Sequence, residues 1–350
     1  MSDVSLYILI AIFRLLFVAV SEIMNNYWNK KVDNGYLCGC LNIISKMENK
    51  KHTFKDWLLA TRPWSFPASS MPVLVTLAFL QWKGCDVDWL AGAWAFFNII
   101  IFHAAGNTWS DYSDYKKGVD REDAIGGMSI VSGQFKATEI KKLAWILLSF
   151  AFVSGIGLMI YTLMLYNSVY ILYFGLAGCL LILSYPWLKY HALGDVDIFL
   201  TYSLLPILGT SFVAIGAFNL HTMWLALPIG LITVGILHVN NTRDIMQDKR
   251  AGIHTLAMLL GKRMSVFLYA VELVVPFLCV GVAIWRNAFP IWSLAVFVAL
   301  LPALANVRKA FKYPKEGMKA LVGVDEKTAQ LQLMFSLLLT VSFFIDKIIG

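Results

Sequence analysis

The sequence predicts an all-α, polytopic membrane protein built as a bundle of about nine transmembrane helices. Three observations carry that reading. The chain of 350 residues is 59% hydrophobic and 15% charged, with a mean hydropathy of +0.67; soluble domains carry about 25% charged residues. Its apolar residues fall in runs long enough to cross a bilayer, which takes about 20 residues per helix. Its lysines and arginines gather in alternate connections between those runs.

The runs lie at about 64–82, 89–111, 142–163, 168–188, 196–217, 222–242, 266–285, 290–307 and 332–348. They are continuous, as in 180–188 (LLILSYPWL) and 271–284 (VELVVPFLCVGVAI). A membrane barrel would instead alternate apolar and polar residues in short strands. Residues 4–20 are apolar but short, and Arg14 interrupts them, so they are expected to form an interfacial or extra helix. A polar linker follows. The predicted organisation is an N-terminal extension over 1–55 and a nine-helix domain over 56–350.

With the segment before the first span placed on the cytoplasmic side, 25 of the 29 Lys and Arg residues fall on that side. Lys83, Arg286 and Lys347 fall on the other, and Arg14 lies in the extension. This asymmetry supports both the orientation and the span count. The expected location is the cell (inner) membrane, with the chemistry at the cytoplasmic face. The net charge of +7 follows from topology alone, and no nucleic-acid partner is implied. The five cysteines form no metal or disulfide pattern: Cys38 and Cys40 are too close for a zinc pair, and Cys179 and Cys279 lie in apolar runs as packing residues.

Two acidic clusters stand at cytoplasmic span ends. The first runs from His103 to Asp123 (HAAGNTWSDYSDYKKGVDRED). Asn107, Asp111 and Asp114 recur at helical spacing and so share a face, and Asp120 follows Gly118, a residue suited to ending the helix. The second, HVNNTRDIMQDKRAG, sets Asn240, Asp244 and Asp248 four residues apart, flanked by Arg243 and Arg250. Carboxylates crowded within a few turns repel unless a cation neutralises them. Oxygen donors of this kind suit Mg²⁺, which binds through one or two carboxylates plus substrate phosphates. Either cluster alone reads equally as a solvated helix end. Two of them at the same membrane face, each opening on a histidine, suggest a diphosphate held between them through bridging Mg²⁺.

Two further elements are weaker alone. Tyr185 and Lys189 (YPWLK) stand one turn apart at the end of the fourth run, where Lys189 is a phosphate ligand or a snorkelling interfacial lysine. Arg62, in TRPWSFP, is an anion ligand or a positive-inside anchor. His103 and His238 read as bases or, more commonly in a membrane, as interhelical hydrogen-bond partners.

In this order the four elements resemble the UbiA superfamily of membrane prenyltransferases, and most closely the MenA-type 1,4-dihydroxy-2-naphthoate branch, over residues 56–350. The segment Ser110–Asp120 is similar to that family's N-D-x-x-D-x-x-K-G-x-D pattern, except that Ser110 replaces the leading asparagine; Asn107 stands one turn earlier. The second motif, from Asn240 through Asp248, Gly252 and Thr255 to Gly261, is similar to the naphthoquinone branch, with Ile253 where bacterial members often carry lysine. The resemblance implies a Mg²⁺-dependent aromatic prenyltransferase of menaquinone biosynthesis. Its partners would be a polyprenyl diphosphate, an aromatic acceptor and the lipid bilayer. It implies Asp111, Asp114, Asp120, Asp244 and Asp248 as metal ligands. Lys189 and Arg243 would act on the leaving diphosphate and Tyr185 on the allylic cation, while Arg62, Asn107, Asn240, Asn241, Lys117 and Arg121 would contact substrate. Other acceptors (a hydroxybenzoate, a chlorin, a lipid alcohol) fit the same motifs. A transporter or non-catalytic lipid-binding protein fits less well, because the charges lie at span ends rather than at the bilayer midplane.

Overall fold

The computed structural model describes residues 52–120 and 128–349. The expected helix over 4–20, and Arg121, lie outside the described residues. The chain divides after Ser65 into a short N-terminal unit and a main unit, Phe66–Gly350. In the short unit, Thr53 and Asp56 form a reciprocal capping box at the start of the helix Phe54–Ala60. Arg62 then takes a left-handed backbone (φ 56°), and its carbonyl accepts from the Ser65 N–H (2.9 Å) and hydroxyl (2.8 Å).

Among the described residues, nine helical segments are long and apolar enough to cross a membrane, and no strand is present. We label their helices α1 (Pro67–Trp82), α2 (Trp89–Lys117), α3 (Ala137–Tyr166), α4 (Tyr170–Tyr190), α5 (Gly194–Ile215), α6 (Met223–Arg250), α7 (Leu256–Trp285), α8 (Ile291–Leu321) and α9 (Val324–Ile349). The protein is an integral membrane protein of the predicted all-α class.

Local signals explain several ends. Asp88 caps α2 by accepting from the Leu90 and Ala91 N–H groups (both 3.0 Å). Gly118 ends α2 in the left-handed conformation (φ 75°), as its position in the sequence suggests. In α5 a π-turn at Leu200–Leu204 precedes Pro206, and the Leu205 N–H reaches back five residues to the Leu200 carbonyl. A proline cannot donate in the ladder and its ring crowds the preceding turn, so the helix widens there.

The helices outrun the apolar runs. Where the hydropathy run ends at 111, α2 continues to Lys117; α6 continues from 242 to Arg250; α7 begins at Leu256 rather than 266, with a kink at Gly261 (φ 70°, ψ 168°) between its first turn and the main helix. The 29 residues of α2 extend about 44 Å at 1.5 Å per residue, against about 30 Å of hydrocarbon. Backbone hydrogen bonding does not stop where side chains become polar. The surplus turns therefore carry the acidic clusters beyond the apolar zone on rigid helix.

The core is centred on α1 and α6, the most buried spans, while α3 and α4 lie at the periphery. Phe79 packs against Phe289 and Phe343 at 6.0 and 5.4 Å between ring centroids, and Phe277 against Phe335 at 5.4 Å. α2 packs on α3, α6 on α7, and α9 on both α1 and α6. Phe150, Val153, Tyr173 and Leu180 are exposed on α3 and α4, as expected of a face that meets lipid.

Candidate active site

The charged ends of α2, α4, α6 and α9 meet at one end of the bundle. On α2, Asp111 and Asp114 are buried and Asn107 is half-buried. The Asp114 carboxylate accepts from the Lys189 ammonium on α4 (2.9 Å), the Tyr190 hydroxyl (2.7 Å) and, at 3.4 Å, the Ser110 hydroxyl. The chain folds back after Gly118: the Val119 N–H donates to the Asp114 carbonyl (2.9 Å), which holds Asp120 near the same turn.

On α6 the guanidinium of Arg243 is 3% exposed and fully engaged. Nε and Nη2 donate to the two oxygens of Asp244 (both 2.8 Å), Nη1 donates to Asp325 on α9 (2.9 Å), and Nη2 also bonds the Asn240 side-chain oxygen. This fork fixes Asp244 and Asn240 and ties α6 to α9. One turn further on, Asp248 is 3% exposed, and its Oδ2 has no hydrogen-bond partner among the described residues.

Lys189 joins the two motifs. It is bonded to Asp114 and also lies in the electrostatic field of Asp248, which in turn feels Asp244 and Asp114. The Tyr190 carbonyl accepts from the His254 N–H (3.0 Å), pinning the end of α4 to the α6–α7 turn. Lys189 thus couples carboxylates on two other helices, Asp114 by a direct bond and Asp248 through its field. The oxygens facing this space are anionic, and a buried carboxylate oxygen without a donor, such as Asp248 Oδ2, suits a divalent cation.

Below this end lies an apolar cavity of about 130 Å³ among α2–α5, with Phe102, Phe174, Gly178, Ile182, Tyr202 and Gly209 in its wall. Tyr185 packs with Tyr202, so aromatic side chains stand between the charged cluster and the cavity. His103 stacks on Tyr202 (4.4 Å) and bonds the Ser69 hydroxyl (2.9 Å). His238 likewise faces neighbouring helices, with Nδ1 3.0 Å from Asp195 Oδ1 and Nε2 3.1 Å from the Ser265 carbonyl oxygen.

Lys117 and Asn241 are not among the Lys189 contacts. Lys117 is exposed on the last turn of α2. Asn241 is buried on the flank of α6, and Arg62 belongs to the short N-terminal unit. The sequence reading missed the roles of Tyr190 and Asp325; the one available signal for Asp325 was an acid in the first turn of the last span. The expectation that ionisable groups sit only at span ends fails at Glu272, which is buried within α7. That carboxylate faces the protein interior and His238 (3.7 Å) rather than lipid, which makes its position tolerable.

Comparisons with known proteins agree with this architecture. The sequence model described as the UbiA prenyltransferase family matches residues 69–322. The chain is 31% identical over 282 residues to the UbiA prenyltransferase domain-containing protein 1 of Danio rerio, covering 80% of this chain and 81% of that protein. It is 32% identical over 296 residues to the UbiA prenyltransferase domain-containing protein 1 homolog of Drosophila melanogaster, covering 82% and 79%. Its fold is similar to the apo structure of a UbiA homolog from Aeropyrum pernix K1, with a TM-score of 0.60, 14% identity and coverage of 81% of this chain and 97% of that one. The family match spans most of the nine-helix region and includes both acidic motifs: the chain belongs to the UbiA prenyltransferase family.

Proposed function

We propose that this protein transfers a polyprenyl group from its diphosphate to an electron-rich hydroxylated aromatic ring, at the cytoplasmic face of the membrane, in a Mg²⁺-dependent reaction. The observation that carries the reading is that Lys189, bonded to Asp114 and in the electrostatic field of Asp248, stands about two turns along α4 from Ile182 in the wall of an apolar cavity. A charged diphosphate and a long apolar tail need such adjoining environments. The lysine and arginine asymmetry supports the cytoplasmic assignment.

The oxygens of Asp111, Asp114, Asp120, Asp244 and Asp248 would hold Mg²⁺, which when bound supplies positive charge to the diphosphate. Lys189 donates to the leaving oxygens as the allylic C–O bond breaks and its electron pair departs with the diphosphate. Its exchange from Asp114 to the diphosphate couples substrate binding to the release of that carboxylate. Tyr185 offers a ring face to the allylic cation. Arg243 acts as a positioning residue for Asp244 and Asn240. Asn107, Asn240 and Asn241 contact substrate, joined by the cations Arg62, Lys117 and Arg121. The tail lies in the cavity among α2–α5. The acceptor proposed first, on the likeness of the second motif, is 1,4-dihydroxy-2-naphthoate. Its ring carbon attacks the allylic carbon, a C–C bond forms, and the carboxylate leaves as carbon dioxide while its bonding pair restores the aromatic ring.

The test is prenyl transfer by the full chain in nanodiscs with Mg²⁺, farnesyl and longer diphosphates, and dihydroxynaphthoate or hydroxybenzoate, read by mass spectrometry. A decarboxylated prenyl-naphthol that disappears with EDTA supports the whole proposal. Product from hydroxybenzoate alone moves the acceptor. Undiminished turnover in excess EDTA overturns the metal dependence.

A further inference from the structure

Deeper in the bundle than the aspartate motifs, three consecutive spans each contribute one ionisable side chain to a single buried point: Asp195 from α5, His238 from α6 and Glu272 from α7. All three are more than nine-tenths buried, and their donor atoms lie within 4.8 Å of one another. His238 Nδ1 stands 3.0 Å from Asp195 Oδ1 and 3.7 Å from Glu272 Oε1. The remaining oxygens, Asp195 Oδ2 and Glu272 Oε2, are buried with no hydrogen-bond donor among the described residues. Gly235 backs the Glu272 carboxylate, where a Cβ would come within 3.6 Å of Oε2.

The other side of the imidazole defines what this point requires. His238 Nε2 is 3.1 Å from the Ser265 carbonyl oxygen and 3.0 Å from the Ser265 hydroxyl, which is itself in a short hydrogen bond with Thr242. A carbonyl oxygen only accepts, so Nε2 carries the proton and donates. In the neutral ring, Nδ1 then turns a lone pair toward two carboxylates. Their only ion-pair partner among the described residues is His238. One imidazolium would still leave two carboxylates against one positive charge in a desolvated interior. A divalent cation would balance the set. A ring N–H anchored on a backbone carbonyl is the usual support of a metal-bound histidine. Tetrahedral donors about 2.1 Å from one ion stand about 3.4 Å apart, a value bracketed by the 3.0 and 3.7 Å that separate His238 Nδ1 from Asp195 Oδ1 and Glu272 Oε1.

We propose that Asp195, His238 and Glu272 bind a divalent first-row transition ion, with zinc as the first candidate, separate from the Mg²⁺ of the aspartate motifs. One imidazole with two carboxylates suits zinc, whereas magnesium prefers oxygen donors throughout. The ion would clamp α5, α6 and α7 just before the stretch of α6 that carries Asn240, Asp244 and Asp248. The inference does not depend on prenyl transfer.

The full chain, purified in detergent without chelator, is expected to carry close to one equivalent of such an ion by inductively coupled plasma mass spectrometry. After stripping with chelator, Zn²⁺ alone is titrated back. Asp195→Asn and Glu272→Gln are expected to weaken Zn²⁺ binding at least tenfold, and Asp248→Asn is expected to leave it unchanged. X-ray absorption on the zinc-loaded wild type supplies a readout that needs no variant, and one imidazole in a shell of oxygens is the expected result. An all-oxygen shell, Zn²⁺ binding no tighter in wild type than in Glu272→Gln, or a bound ion lost in Asp248→Asn but kept in Glu272→Gln would each overturn the proposal.

Discussion

Replacing Lys189 by Met separates the two tasks assigned to this side chain. In the structure its ammonium lies 2.9 Å from Asp114, and the two side chains are 12% and 9% exposed. At an effective dielectric constant of 20, a pair at that distance attracts by about 6 kcal/mol before the cost of desolvating both charges. Removing one partner of such a pair leaves an uncompensated buried charge and costs about 3–5 kcal/mol of stability. If Lys189 also stabilises the departing diphosphate, turnover should fall about 10²–10³-fold, the usual loss when one electrostatic donor is removed from a reacting site. Tyr190→Phe is the control, since it deletes a 2.7 Å bond to the same carboxylate without removing a cation. It should cost about 1.5–3 kcal/mol of stability and leave turnover within a few-fold. The assay is the initial rate of prenyl product in nanodiscs, alongside thermal melting in detergent. Folded Lys189→Met protein turning over at near wild-type rate would refute the reasoning. So would equal losses of turnover in the two variants, because Lys189 would then act only as a clamp on Asp114.

Arg243→Gln removes the bidentate bond to Asp244 and the link to Asp325, so melting should reveal a loss of about 3–5 kcal/mol. Arg243→Lys should not rescue it, since an ammonium cannot reproduce the fork. Asp248→Asn should raise the Mg²⁺ concentration needed for half-maximal turnover with little change in melting, and a Mg²⁺ titration of activity reads this directly. Gly178 lines the apolar cavity and a Cβ there meets nothing within 4 Å. Gly178→Leu should therefore fold normally while disfavouring long prenyl diphosphates over farnesyl diphosphate by about 10–200-fold in competition assays. At Gly230 a Cβ would come 2.5 Å from Phe199 and 2.9 Å from Ser203, so Gly230→Ala should cost about 1–3 kcal/mol by overpacking, measurable as a lower melting temperature.

Composition and run length were enough to read a helical membrane protein from the sequence, and lysine and arginine placement to propose its orientation. In a bilayer every backbone group must be satisfied within its own segment, so apolar run length alone identifies helices, and lysine and arginine placement alone orients them. Both acidic motifs were legible as well, because helical spacing places Asn107, Asp111 and Asp114, or Asn240, Asp244 and Asp248, on one face whatever surrounds them. Only the tertiary structure decided which of these groups meet. The ion pair of Asp114 with Lys189 spans 75 residues of chain and that of Arg243 with Asp325 spans 82, and no local periodicity encodes either. Arg243 looked like a cation available to a diphosphate, yet packing buries it and commits its donors to Asp244, Asn240 and Asp325. Glu272 was hidden inside an apolar run, since a hydropathy window averages over one carboxylate, and its partners lie on two other spans. Helix ends, too, were misjudged where the helix passes out of the apolar zone. The sequence senses the boundary between lipid and water; the backbone, bonded only to itself, continues across it and carries the acidic motifs to the place where α2, α4 and α6 converge.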